Sequence, residues 1–215
     1  MRKARAHSPS RANTENSITK CALRFSRNKK ESIMLELNDV LIEGETHTLS
    51  LMAHERQITC VVGGSRWLYA MMGFEPVTAG FISIDGEPLT PKTARALRQQ
   101  MAFAPRRLDD VGVLVRYEAP TADDVFALRA NRQLSDETLE EEAEQTGSAN
   151  AKQARLLAIA VLRQRPILLV EEPEPAMLPY LRKQAMSGRI VIISSTDDAV
   201  INAADNVVDS NSFNL

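Results

Sequence analysis

Two adjacent carboxylates at the end of an apolar run are the first residues in this sequence equipped for chemistry. Ile167, Leu168, Leu169 and Val170 are followed without a spacer by Glu171, Glu172 and Pro173. Four large apolar residues in a row read as a strand buried on both faces of a parallel sheet, and the proline after the acids ends its ladder. Ligands of open α/β sheets bind in the crevice outside the carboxyl ends of the strands. Acids at that point can hold a cation or orient a water. The competing reading is a strand that runs out into an exposed charged turn. A second stretch has a related placement. Residues 57–62 form an apolar strand that leads into Gly63, Gly64, Ser65 and Arg66, and then into an apolar helical stretch, 67–72, stopped by Gly73. Strand, Gly-rich turn and helix is the setting in which backbone N–H groups hold phosphate. Two adjacent glycines serve an ordinary strand-to-helix turn equally well.

The elements that must position these residues are legible in outline. Residues 34–42 alternate like a half-buried strand, and 46–52 give a second. A turn is expected over 76–80, a short strand from Phe81 to an Asp85-Gly86 turn, a helix from Pro91 through Gln100, and a short strand over 101–104. Residues 121–130 and 135–144 read as helices, the second with Ser135 as N-cap and acids in its first turns. Its Glu140, Glu141 and Glu142 read as a solvated face. An Ala- and Leu-rich helix, 152–162, feeds the central strand. Prolines at 173, 175 and 179 delay the next helix to near Tyr180, and Gly188 stops it. Residues 189–195 form another buried strand, residues 196–198 cap a helix through Ala204, and 206–209 form a last short strand. This order predicts an α/β fold with parallel strands.

Of the chain's 26 basic and 28 acidic residues, nine and one lie in residues 1–30. That leaves 17 and 27, a net of −10, for the remainder. The basic segment has no apolar periodicity, and residues 1–33 are expected to form a disordered basic extension. A nucleic-acid arm, a targeting peptide and a segment upstream of a start at Met34 are its alternatives. The acidic remainder argues against nucleic acid as the main partner. Cys21 and Cys60 show no metal-like spacing. No run of eighteen apolar residues occurs, so a membrane role is expected to work through a partner.

From Met34 to Leu215 the order of motifs resembles the nucleotide-binding domain of an ATP-binding cassette (ABC) transporter. Residues 80–89 resemble the segment after the family's phosphate loop, and 97–105 the approach to its glutamine loop. Residues 155–162 and 166–173 resemble the helix after the signature motif and the Walker B strand, and 189–198 the strand that ends at the switch histidine. The resemblance implies a P-loop NTPase-like core with a parallel sheet, an N-terminal antiparallel β part and a small helical subdomain over about 107–160. It implies ATP and Mg²⁺ as ligands if the chain is active. The implied partners are a transmembrane permease and a second nucleotide-binding domain, with the chain at the cytoplasmic face of the membrane.

The same resemblance implies roles for particular residues. Gly63, Gly64, Ser65 and Arg66 would face the phosphates, Ser65 and Glu171 the Mg²⁺, and Glu172 the attacking water. Ser148, Ala149 and Asn150 stand at the signature, Arg106 at the glutamine-loop position and Thr196 at the switch position. The sequence departs from the family pattern at most of these points. The phosphate loop is shortened and has no lysine, and the planar fork of Arg66 is no substitute for a compact ammonium. The signature glycines are missing, and the segment after Pro173 is short. Phosphoryl transfer depends on positioned charge around the phosphates, so hydrolysis is expected to be weak or lost. Two functions follow: an ATP-binding transporter subunit of low activity, or a pseudo-ATPase that acts as a structural or regulatory subunit.

Overall fold

The computed structural model describes residues 33–107 and 136–210. The amino-terminal part contains strands β1 (Met34–Ile42), β2 (Leu49–His54) and β3 (Ile58–Val62), helix α1 (Ser65–Met71), strands β4 (Val77–Ile84) and β5 (Glu87–Pro88), helix α2 (Ala94–Arg98) and strand β6 (Met101–Ala104). Beyond residue 135 come helices α3 (Asp136–Gln145) and α4 (Ala151–Leu162), strand β7 (Ile167–Glu171), a 3-10 turn (Pro175–Met177), helix α5 (Leu178–Met186), strand β8 (Ile190–Ser195), helix α6 (Asp198–Ala203) and strand β9 (Asn206–Asp209).

Two sheets result. An antiparallel sheet runs in the order β2-β1-β4-β5, and a five-stranded parallel sheet in the order β6-β7-β8-β3-β9. The unbroken apolar runs of the parallel strands are explained by burial on both faces. Ile167 and Leu169 of β7, with Ile190 and Ile192 of β8, face a core shared with the antiparallel sheet and α1. Their neighbours Leu168, Val170, Val191 and Ile193 face a second core built on α4 and α5. Strands β1 and β2 show the period-2 alternation of a sheet covered on one side only.

Several expected boundaries moved. The second strand begins not at residue 46 but at Leu49, which pairs with Val40 of β1. Residues 77–80 are strand and not turn: Val77 pairs with Ile42 and Ala79 with Leu41, so the ladder holds them although they are exposed. Gly80 sits opposite a bulge in β1 at φ +73°, and a Cβ there would lie 2.3 Å from the Asn38 carbonyl oxygen. The helix expected from Pro91 starts at Ala94. Thr93 Oγ1 donates to the Pro88 carbonyl at 2.6 Å and accepts from the Thr90 amide at 2.9 Å, and such bonds compete with a helix. Helix α5 begins two residues before Tyr180, with Pro179 in its first turn, where the missing N–H costs no hydrogen bond. The expected helix over 121–130 and the Ser135 cap lie outside the described residues.

Candidate functional site

Three neighbouring parallel strands deliver the candidate residues to one edge of the sheet. Glu171 pairs in register with Ser194 of β8, and Ser195 pairs with Val62 of β3. The ladder continues one step past the strand ends: Glu172 N donates to Ser194 O at 3.0 Å, and Gly63 N to Ser195 O at 3.4 Å. The acidic pair and the glycine turn therefore lie at the same end of the parallel sheet, separated by a single strand.

The turn is brief. Only Gly63 and Gly64 separate β3 from α1. Gly63 takes φ +85°, a conformation suited to glycine. Gly64 lies at φ −170°, extended backbone open to any residue, and is small for another reason: a Cβ would lie 2.9 Å from Cδ1 of Trp67, whose side chain is buried. The side chain of Arg66 is committed elsewhere. Its Nη1 donates to Glu45 Oε1 at 2.8 Å, and its Nη2 to the Glu43 carbonyl at 2.6 Å and to Glu75 Oε2 at 3.2 Å. The Glu75 hydrogen bond, with both carboxylate charges adding, raises the Arg66 pKa above its ordinary value. This cluster ties α1 to the turns that follow β1 and precede β4.

On the acidic side, the two glutamates are held differently. Glu171 keeps the alternation of β7 and faces the α1 side; it is only 6 % exposed. Its Oε1 accepts from the Tyr69 hydroxyl and its Oε2 from the Arg106 amide, each at 3.0 Å. The Tyr69 ring meets Phe103 of β6 edge-on, with centroids 5.7 Å apart. Glu172 leaves the strand in a left-handed conformation, φ +45°, that a residue with a side chain rarely adopts. Its carbonyl accepts from Gln153 Nε2 at 2.8 Å, and its Oε2 accepts from the Thr196 amide at 3.3 Å. Gln153 is itself buried on α4. Burial, and then the Glu172 charge, push the nearby Cys60 thiol up to about 11, against an opposing bond from the Ser195 backbone.

The signature-like residues are spent within the chain. Asn150 caps α4 through its side chain, accepting from the Lys152 and Gln153 amides. The Ser148 hydroxyl donates to Glu174 Oε2 at 2.7 Å, and the Ala149 amide donates to the same oxygen at 3.2 Å. Glu142, expected on a solvated face, instead accepts from the buried Tyr180 hydroxyl, while Glu140 and Glu141 are exposed. Burial, with Glu142 adding, holds the Tyr180 phenol well above its usual range.

Sequence reading missed Tyr69, Gln153 and Glu174. Gln153 carried a signal, as a polar residue on the α4 face shared with Leu157 and Ala160. Tyr69 and Glu174 carried none, because their partners lie 102 and 26 residues away.

As a host for a Mg²⁺-bound triphosphate the constellation is poor. A two-residue turn offers few backbone donors, no lysine is present, and Arg66 is engaged. Both Glu171 oxygens already accept from protein groups, and no cluster of three or more His, Cys, Asp or Glu suited to a metal occurs among the described residues. No helix among them is long and apolar enough to cross a membrane.

No family model and no curated protein sequence matches this chain. Solved structures do. CbiO1 from Clostridium perfringens, part of the ABC transporter complex CbiONQ, matches over 83 % of this chain and 85 % of its own at 16 % identity, with a TM-score of 0.59. An ATP-binding subunit of an ABC transporter matches over 82 % and 85 % at 18 % identity, with a TM-score of 0.57. A bacterial Atm1-family ABC exporter with ATP bound matches over 84 % of this chain at 18 % identity and a TM-score of 0.56; the match spans 37 % of the exporter. At these identities the likeness is one of fold. The chain has the mixed α/β fold of an ABC nucleotide-binding domain, with a parallel sheet beside an antiparallel one.

Proposed function

We propose that this chain is an ABC-type subunit that assembles with a transmembrane permease and a second nucleotide-binding domain, and that it acts there as a structural or regulatory partner whose own ATP hydrolysis is weak or lost. In this reading residues 34–215 form the nucleotide-binding-type domain, with a helical subdomain over about 107–160, and residues 1–33 are an extension to it. The permease holds the domain at the cytoplasmic face of the membrane.

The observation that carries the loss of hydrolysis is the engagement of Arg66. It is the one basic side chain in the turn and the first turn of α1, and it pairs with Glu45 and Glu75. A triphosphate brought to Glu171 and Glu172 would then meet two carboxylates and no countercharge from the turn. Preorganised charge of the opposite sign is what phosphoryl transfer requires.

A hydrolysing subunit remains the second reading, and one feature favours it. Glu172 is held in a strained backbone conformation by Gln153 and the Thr196 amide, and such strain collects at functional positions. In that case Glu172 would align water, with Gly63, Gly64 and Ser65 near the phosphates. Copurification of the tagged full chain, followed by ATP turnover with Mg²⁺, tests both. Recovery of a membrane permease with turnover no higher than that of a Glu172→Gln variant supports the proposal. Turnover that falls at least a hundredfold in that variant establishes hydrolysis instead. Recovery of no membrane partner defeats both readings.

A further inference from the structure

We infer that Glu171 is a bracket within the fold and not a metal ligand: its carboxylate fastens α1 to the exit of β6, through the Tyr69 hydroxyl and the Arg106 amide. A carboxylate 6 % exposed needs compensation for lost water. Here each oxygen receives one donor at 3.0 Å, within the ordinary hydrogen-bond range. Tyr69 cannot turn aside cheaply, because its ring packs edge-on against Phe103, one residue before the end of β6 and three before Arg106. Mg²⁺ demands an octahedral shell of oxygens and keeps several waters; both Glu171 oxygens are already engaged by protein donors, and no cluster of three or more His, Cys, Asp or Glu stands there among the described residues.

The sign of a neutralising substitution separates the two roles. An acid kept mainly for a cation contributes little to the fold in the cation's absence, and its neutralisation leaves the protein as stable or more so. An acid that serves as a bracket loses by the same change, since a glutamine amide presents N–H to one of the two donors. The inference rests on the reading of the crevice as an ABC-type site, and it deepens that reading by assigning the acid that would otherwise serve the metal.

Thermal unfolding of the full chain tests it, using wild type, Glu171→Gln, Tyr69→Phe and the double variant, with and without millimolar Mg²⁺. Expected results are a wild-type Tm insensitive to Mg²⁺, a loss of about 3–6 °C in Glu171→Gln, and a double variant that loses less than the sum of the singles. A Mg²⁺-dependent rise in wild-type Tm that Glu171→Gln abolishes overturns the bracket, as does a Glu171→Gln Tm equal to or above wild type, or strict additivity. Should Glu171→Gln fail to fold, the milder Tyr69→Phe decides: a Tm unchanged from wild type overturns the inference, and a lowered, Mg²⁺-insensitive Tm supports it. Mg²⁺ binding at Glu171 without ATP turnover defeats the bracket alone. Turnover in a protein whose Tm ignores Mg²⁺ defeats only the proposed function.

Discussion

The acidic side and the glycine-turn side of this sheet edge are held by different kinds of contact. On the β7 flank the acidic pair stands at the strand end, and each residue is fixed by contacts from other elements: Glu171 from α1 and the β6 exit, Glu172 from α4 and from Thr196 just after β8. On the β3 flank the turn is two residues long, and Arg66 in the first turn of α1 is drawn to the turns around β1 and β4. The difference shows how packing protects polar positions. A buried carboxylate that satisfies donors from several elements cannot be exchanged without leaving those donors unpaired. A surface turn carries no such obligation, and only the helix behind it must keep its apolar face.

That contrast is sharpened first at Trp67, the part of the β3 flank that is core. Trp67→Ala should cost about 3–5 kcal/mol of stability, measured by denaturant unfolding. A cost near 1 kcal/mol would place the indole outside the shared core. Second, Gln153→Ala removes a buried donor from the Glu172 carbonyl and should cost about 1–3 kcal/mol; a neutral result would show that Glu172 holds its left-handed backbone unaided. Third, Gly64→Ala should cost about 1–2 kcal/mol through overpacking against Trp67. Disappearance of that loss in the Trp67→Leu background would confirm that the glycine serves packing and not phosphate approach. The smallest effect is expected for Arg66→Ala. Its pairs are 24–41 % exposed, and surface pairs contribute less than about 1 kcal/mol each. A loss above about 3 kcal/mol would turn the β3 flank into a rigid element and cancel the contrast.

The segment at 148–150 repeats the pattern seen in Arg66. Groups that the resemblance places at the signature are satisfied from inside the chain, Ser148 and Ala149 by Glu174 and Asn150 by the helix it caps. The departures were legible as missing glycines; the replacement partners were not. Glu174 reads in sequence as one acid among prolines, and only the return of the chain after β7 puts it beside α4.

The sequence alone determined most of the strands, that a parallel sheet is among them, and the placement of Glu171 and Glu172 at a strand end, because apolar runs, prolines and glycines act within a few residues of chain. It also determined that the turn lacks a lysine. What each polar side chain does was decided by tertiary structure. Tyr69 reaches Glu171 across 102 positions, and Arg66 reaches Glu45 across 21. Hydrogen bonds and ion pairs form between whichever groups the packed elements bring within about 3 Å, and no local pattern of residues encodes that meeting.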